Sequence, residues 1–197
     1  MARTGRPREF DRDNAIEQAM NLFWENGFES TSLAELRKTL GLSSASFYAA
    51  FGSKQSLYEE CFRHYSQTCG EFISELKNQD VCAKQALKNM LHKTISVQTS
   101  KTSPSGCMAV LSGLNCGEEN KAVEELTRHA RQKSYQALKE CVKRAVDEGE
   151  LPATTNIDTF TMAIDTFIKG ISIQARDGAS AQALFAASEH ILSLWDQ

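Results

Sequence analysis

The chain has only three prolines in 197 residues, at Pro7, Pro104 and Pro152. Proline interrupts helices, so long stretches are left free to be helical. No apolar run approaches the ~18 residues that a membrane-spanning helix needs. There is no signal-peptide core, no low-complexity tract and no internal repeat, so a cytoplasmic location is expected. Six cysteines are present, but none forms a Cys-x-x-Cys pair and no histidine neighbours a cysteine pair. That spacing argues against a zinc site, and nothing in the sequence calls for a metal or a cofactor. In a reducing compartment the cysteines are expected to be free thiols. No strong charge excess is present either, since the formal net charge is −3.

What is present is helical patterning. Phe10-Asp11-Arg12-Asp13 leads into a stretch with Ile16, Ala19, Met20 and Phe23 at i, i+3, i+4 and i+7, which predicts an amphipathic helix ended by Gly27. Ser32 with Glu35 three residues on is a capping-box pattern. Leu33, Leu36 and Leu40 then share one face, and Gly41 offers a left-handed turn. Ser43 caps a second short helix, with Phe47 and Phe51 on one face and Ser44 and Tyr48 on another. One anchored helix, a tight turn and a helix with a small polar face make a helix-turn-helix.

The exposed face of that second helix suits DNA. Ser44 and Ser46 are short enough to approach base edges, and the Tyr48 hydroxyl can donate to a phosphate oxygen. Lys54 opens the next helix beside its amides, where anions are favoured. Thr31 and Ser32 offer similar phosphate contacts at the first helix. Ahead of the motif lies Arg3-Thr4-Gly5-Arg6-Pro7-Arg8. It reads either as an arm for a minor groove or as a solvated terminus. Residues 1–54 hold seven Lys/Arg and seven Asp/Glu. Specific binding with modest non-specific affinity is therefore expected, because the non-specific part is mostly electrostatic.

Phe23, Gly27-Phe28, Thr31-Ser32-Leu33, Gly41-Leu42, Ser46-Phe47-Tyr48, Phe51 and Lys54-Gln55-Ser56-Leu57 together resemble the TetR family of bacterial transcriptional regulators. The resemblance implies that Ser44, Ala45 and Ser46 face bases, while Thr31, Tyr48 and Lys54 match phosphate-contacting positions. One departure is Ala50, where relatives often carry histidine. The expected fold is all-α, with about nine helices. Residues 1–53 would form the arm and the three-helix DNA-binding domain, and 54–197 a helical ligand-binding and dimerisation domain.

Beyond residue 54, helices are predicted over about 54–77, 81–99, 105–115 and 118–148, followed by two more. A pocket among the middle helices is expected to be lined by Phe62, Tyr65, Cys69, Met108, Leu111 and Tyr135. The last two helices carry the stripes Phe160, Ile164, Phe167, Ile171 and Leu184, Ala187, Ile191, Leu194. Pattern alone leaves both stripes packing on their own subunit. The resemblance implies instead that they form a homodimer interface, and a two-fold dimer matches a palindromic operator. The expected partners are thus double-stranded operator DNA, a small-molecule inducer and a second copy, with no membrane.

Cys61, Cys69 and Cys141 read as small apolar core residues. Cys107 and Cys116 differ, because they lie beside glycines near the two ends of a short predicted helix. Residues 105–117 resemble a stretch of a TetR-family member that senses electrophiles through cysteine. A thiol-sensing repressor using Cys107, with Cys116 as a possible second thiol, is therefore an alternative to a purely ligand-gated one. A small cysteine-dependent enzyme is the remote alternative. It needs a base close to the sulfur, and neither His92 nor His129 has a sequence-level link to Cys107.

Overall fold

A computed structural model describes residues 11–196. The basic stretch Arg3–Arg8 lies outside them. Nine α-helices and three short 3-10 segments make up the regular structure among the described residues.

Helix α1 spans Arg12–Asn26, and its first turn is capped by Asp11, whose carboxylate accepts from the Asn14 amide at 3.0 Å. Helix α2, Leu33–Leu40, is capped by Ser32, which accepts from the Glu35 amide at 3.1 Å. It stops at Gly41, whose φ of 65° is the left-handed conformation open to glycine at least cost. Helix α3, Ser44–Phe51, is capped by Ser43, and α4, Lys54–Thr68, by Ser53. Each of these caps satisfies an amide that has no partner inside its own helix.

The helix expected over 54–77 breaks at Cys69 and Gly70, whose amides both donate to the Tyr65 carbonyl. A tighter 3-10 segment, Glu71–Lys77, follows. Helix α5 spans Ala83–Gln98. The helix expected over 105–115 is only four residues long, α6, Met108–Leu111. Its flanks are also held by bonds to other elements, Gly106 to Gln98 and Phe28 to Ser112. Helices α7, Lys121–Asp147, α8, Ile157–Arg176, and α9, Ala181–Leu192, complete the bundle.

Two apolar cores result. One is built mainly from α1 to α4 and also includes Cys107, Met108 and Val123. The other joins α5, α7, α8 and α9. Helix α4 belongs to the first core through Leu57, Tyr58, Cys61, Phe62 and Tyr65. The packing of the first unit therefore continues past residue 53.

Candidate DNA-binding face, cavity and the junction between them

Helix α3 buries Phe47 and Phe51 and leaves Ser44, Ala45, Ser46 and Tyr48 exposed. Burying the two rings orients the opposite face outward, so the polar residues project together. The Ser46 hydroxyl lies 2.8 Å from that of Ser43. Arg12 holds the end of α3 in place. It donates to the Ala50 carbonyl at 2.7 Å and pairs with both Glu60 oxygens at 2.7 and 2.8 Å. One guanidinium nitrogen serves the carboxylate and the other the carbonyl, so a single side chain links α1, the end of α3 and α4.

Two expected contact residues are differently placed. Thr31 is fully buried, and its hydroxyl donates to the Gly27 carbonyl at 2.7 Å. Its side chain is used to close the α1–α2 turn and does not reach the surface. Lys54 is half-buried, with its ammonium 4.2 Å from the centre of the Phe28 ring. Burial pulls its pKa below the usual lysine value, with Glu29 opposing. Ser32 is exposed, but its oxygen already caps α2.

The segment 105–120 forms the junction between the two units. The Trp24 indole donates to the Gly106 carbonyl at 3.1 Å, and the Phe28 amide to the Ser112 carbonyl at 2.8 Å. The Tyr58 and Ser112 hydroxyls lie 2.6 Å apart. Glu29 accepts from the Gly117 amide at 2.6 Å and from the Asn120 side chain at 2.9 Å, which lowers its pKa. Arg176, at the end of α8, donates to the carbonyls of Ser105, Glu25 and Trp24 at 3.0, 2.7 and 2.9 Å. One side chain thus ties the C-terminal unit to the end of α1. Each of these bonds joins residues at least 54 apart in sequence, so no local pattern could have revealed them. Cys116 sits near Glu29 and Lys54, and burial raises its pKa.

A cavity of about 450 Å³ lies among α4, the 71–77 segment, α6, α7 and α8. Of the expected lining residues, Phe62 and Tyr65 are in its wall. Cys69, Met108, Leu111 and Tyr135 are not among its lining residues, and Met108 is fully buried in the first core. The break after α4 and the short α6 account for this. They bring Phe72, Ile73, Ala109 and Val110 to the wall instead. Gln98, Asp165 and Ser172 also line it, and periodicity gave no sign of them.

Cys107 is in the wall as well, buried, and its sulfur accepts from the Tyr65 hydroxyl at 3.2 Å. Burial pushes the Cys107 pKa up, and the Tyr65 bond only partly offsets it. This environment therefore favours the neutral thiol over the thiolate. Tyr65 is likewise held far above its usual range by burial.

The C-terminal stripes also sort differently. Ile164, Ile171 and Leu184 are buried inside their own subunit. Phe160 packs edge-on against Trp195 at 5.5 Å. Phe167, Ala187 and Ile191 are half-buried, and Leu194 is exposed. The apolar period marks a buried face without saying whose core buries it. The outward face of α8 carries Met162, Thr166 and Ile173, and that of α9 carries Ala183, Ala186 and His190.

A capped helix-turn-helix with an exposed polar helix, joined to a helical unit that holds a cavity, defines a DNA-binding regulator. The family model for bacterial regulatory proteins of the tetR family matches residues 15–61. That for the tetracyclin repressor-like C-terminal domain matches residues 83–191. The chain belongs to the TetR family and is a DNA-binding transcriptional regulator. The HTH-type transcriptional repressor ComR of Escherichia coli (strain K12) is 30% identical over 196 residues, covering 98% of this chain and 92% of ComR. BdcR, an HTH-type transcriptional repressor of the same strain, is 27% identical over 93% of this chain and 88% of its own. A cysteine mutant of the TetR family regulator CifR, solved in complex with 26bp double-strand operator DNA, superposes with a TM-score of 0.88. It is 34% identical, and the match covers 96% of this chain and 100% of that one. No described helix is long and apolar enough to cross a membrane.

Proposed function

We propose that this protein is a homodimeric repressor without catalytic activity. It binds a palindromic operator in the cytoplasm through α3 and is released when a small molecule occupies the cavity. The observation that carries the DNA reading is the α3 face of Ser44, Ala45, Ser46 and Tyr48, exposed together and braced by Arg12. Ser44, Ala45 and Ser46 read bases, and Tyr48 and Lys54 contact phosphates. The cavity supports the effector reading, because its wall includes Ala109, Val110 and Cys107, next to the junction. An effector acts by binding one arrangement of that junction better than another. The outward face of α8 and α9 is the proposed dimer surface. Pairing two copies there sets the spacing of the two α3 helices.

Gel-shift titration tests the DNA reading. Tyr48→Phe removes a hydroxyl donor and should cost about 1 kcal/mol on every sequence alike. Ser46→Ala should change base preference instead. Unchanged affinity and preference in both variants would remove α3 as the reading helix.

A second reading has an electrophile or oxidant acting on Cys107 inside the cavity. Its support is the thiol in the cavity wall with the Tyr65 hydroxyl at hydrogen-bond distance. The thiolate is the reactive form. Because burial raises the Cys107 pKa, the thiol is protonated at neutral pH, and alkylation should accelerate as pH rises through and above the ordinary thiol range. Mass mapping after N-ethylmaleimide treatment, run beside operator release, decides it. Release that is equal in wild type and Cys107→Ser would leave Cys107 as a wall residue only.

A further inference from the structure

The cavity wall is mostly apolar, from Phe62, Phe72, Ile73, Val110 and Ile168. Among its polar side chains, two are deeply buried and unpaired. Gln98 is 1% exposed, and its Oε1 accepts no hydrogen bond. Ser172 is 0% exposed, and its Oγ has no partner. Both line the cavity. Buried polar atoms are almost always paired, so two unpaired ones facing the same space point to an occupant that pairs with them.

The backbone brings these two residues together across Gly106. The Gly106 amide donates to the Gln98 carbonyl at 2.9 Å. On the other side Gly106 approaches α8 so closely that a Cβ would stand 2.7 Å from the Ser172 carbonyl oxygen. Its φ of 81° adds strain for any other residue. Gln98, Cys107 and Ser172 thus surround one residue, and that residue's own carbonyl holds Trp24.

Charge limits what the head of an occupant is. The one deeply buried acid in the wall, Asp165, is paired with Lys169 on the next turn of α8. Arg131 is engaged with the Ala109 carbonyl at 2.7 Å. The remaining wall charges, Lys77 and Lys133 with Glu71 and Glu140, are of both signs. A charged head beside Gln98 and Ser172 would lack an unused buried partner of opposite sign, and burying it would be costly.

We infer that the effector is a neutral molecule with an apolar, ring-sized body and one small head that both donates and accepts, a hydroxyl or a primary amide. The head donates to Gln98 Oε1 and accepts from the Ser172 hydroxyl. The body lies against Phe62, Phe72 and Ile168. This rests on the reading of the cavity as the effector site and goes beyond it by fixing the head. Such a head is bound directly behind Gly106, where the junction to α1 begins.

The matched probes 2-naphthol and naphthalene test this, because they differ by one hydroxyl. Naphthalene is the more hydrophobic and would bind better to a merely apolar cavity. Equilibrium dialysis against the full chain should show 2-naphthol binding about tenfold tighter, the net gain of two buried hydrogen bonds over the cost of desolvating its hydroxyl. Gln98→Leu should reverse the preference, and Ser172→Ala should cut it to about threefold. The Ser172→Ala change removes one oxygen, and thermal melting checks that both variants keep the fold. Equal binding of the two probes to wild type, or an undiminished preference in folded Gln98→Leu, overturns the polar head while leaving the cavity as an effector site. Failure of both probes to bind overturns the cavity reading and this inference with it.

Discussion

The first core is built mainly on aromatic side chains and the second mainly on aliphatic ones, with Phe72 and Trp195 as its buried aromatics. Phe23, Phe28 and Tyr58 meet edge to face or stacked within 5.8 Å, and Trp24 meets Tyr65 edge-on at 4.8 Å. The second core is Leu87, Leu91, Ile95, Leu138, Val142 and Ile164, with alanines between them. Ring pairs have preferred geometries, so they fix helix angles as well as distances. Aliphatic side chains fill volume with fewer angular demands. Buried polar atoms divide in the same way. Among the described residues, the first unit has one buried side-chain atom without a hydrogen bond, Arg37 Nε, whereas His92, Gln98, Arg144, Thr161, Ser172 and Trp195 supply those of the second. The polar atoms of the DNA-facing half are thus nearly all paired, in part across the junction. The other half leaves hydrogen-bonding capacity unspent inside it, which is what a ligand-binding half needs.

The largest test of this contrast puts one charge in two places on α8. Ile164→Glu places a carboxylate inside the second core and should cost about 4 kcal/mol or more, enough to unfold that core. Ile173→Glu, on the outward face, should leave the melting transition in place but give a monomer by sedimentation, with operator affinity falling alongside. A folded Ile164→Glu protein would break the description of the second core. An intact Ile173→Glu dimer would remove the proposed partner face.

A smaller effect is expected at the seam between the two halves. Arg176→Ala removes three bonds to carbonyls and should lower stability by about 2 kcal/mol, read as a lower urea midpoint. Arg176→Lys should recover only part of it, since an ammonium cannot reproduce the guanidinium fork. An unchanged midpoint would make the junction a contact without energetic weight.

The smallest effect concerns Lys54. Losing its position over Phe28 should cost about 0.5 kcal/mol of stability. Lys54→Ala should also lower the salt slope of operator binding by about one, as one phosphate contact does. A slope that stays the same would assign Lys54 to packing alone and narrow the DNA-facing set to α3.

Much of the first half was legible in the sequence. Ser32 with Glu35, Gly41, Ser43, and Phe47 with Phe51 act on partners within four residues, and the caps form where they were expected. Thr31 is the exception there. Its hydroxyl had two plausible uses, and the turn at Gly27 took it. The second half was legible as helices but not as a site. A break at Gly70 and a four-residue α6 shifted the cavity wall away from Cys69, Met108, Leu111 and Tyr135.

By itself the sequence determined the helices of the first half, their caps, the helix-turn-helix and its polar face, because those depend on neighbours one turn away. Tertiary structure alone decided which apolar stripe of α8 is spent inside the subunit, that Arg176 joins α8 to α1, and that Gln98 and Ser172 meet across Gly106. A helical period states that a face is buried, and only the packing of distant segments states against what.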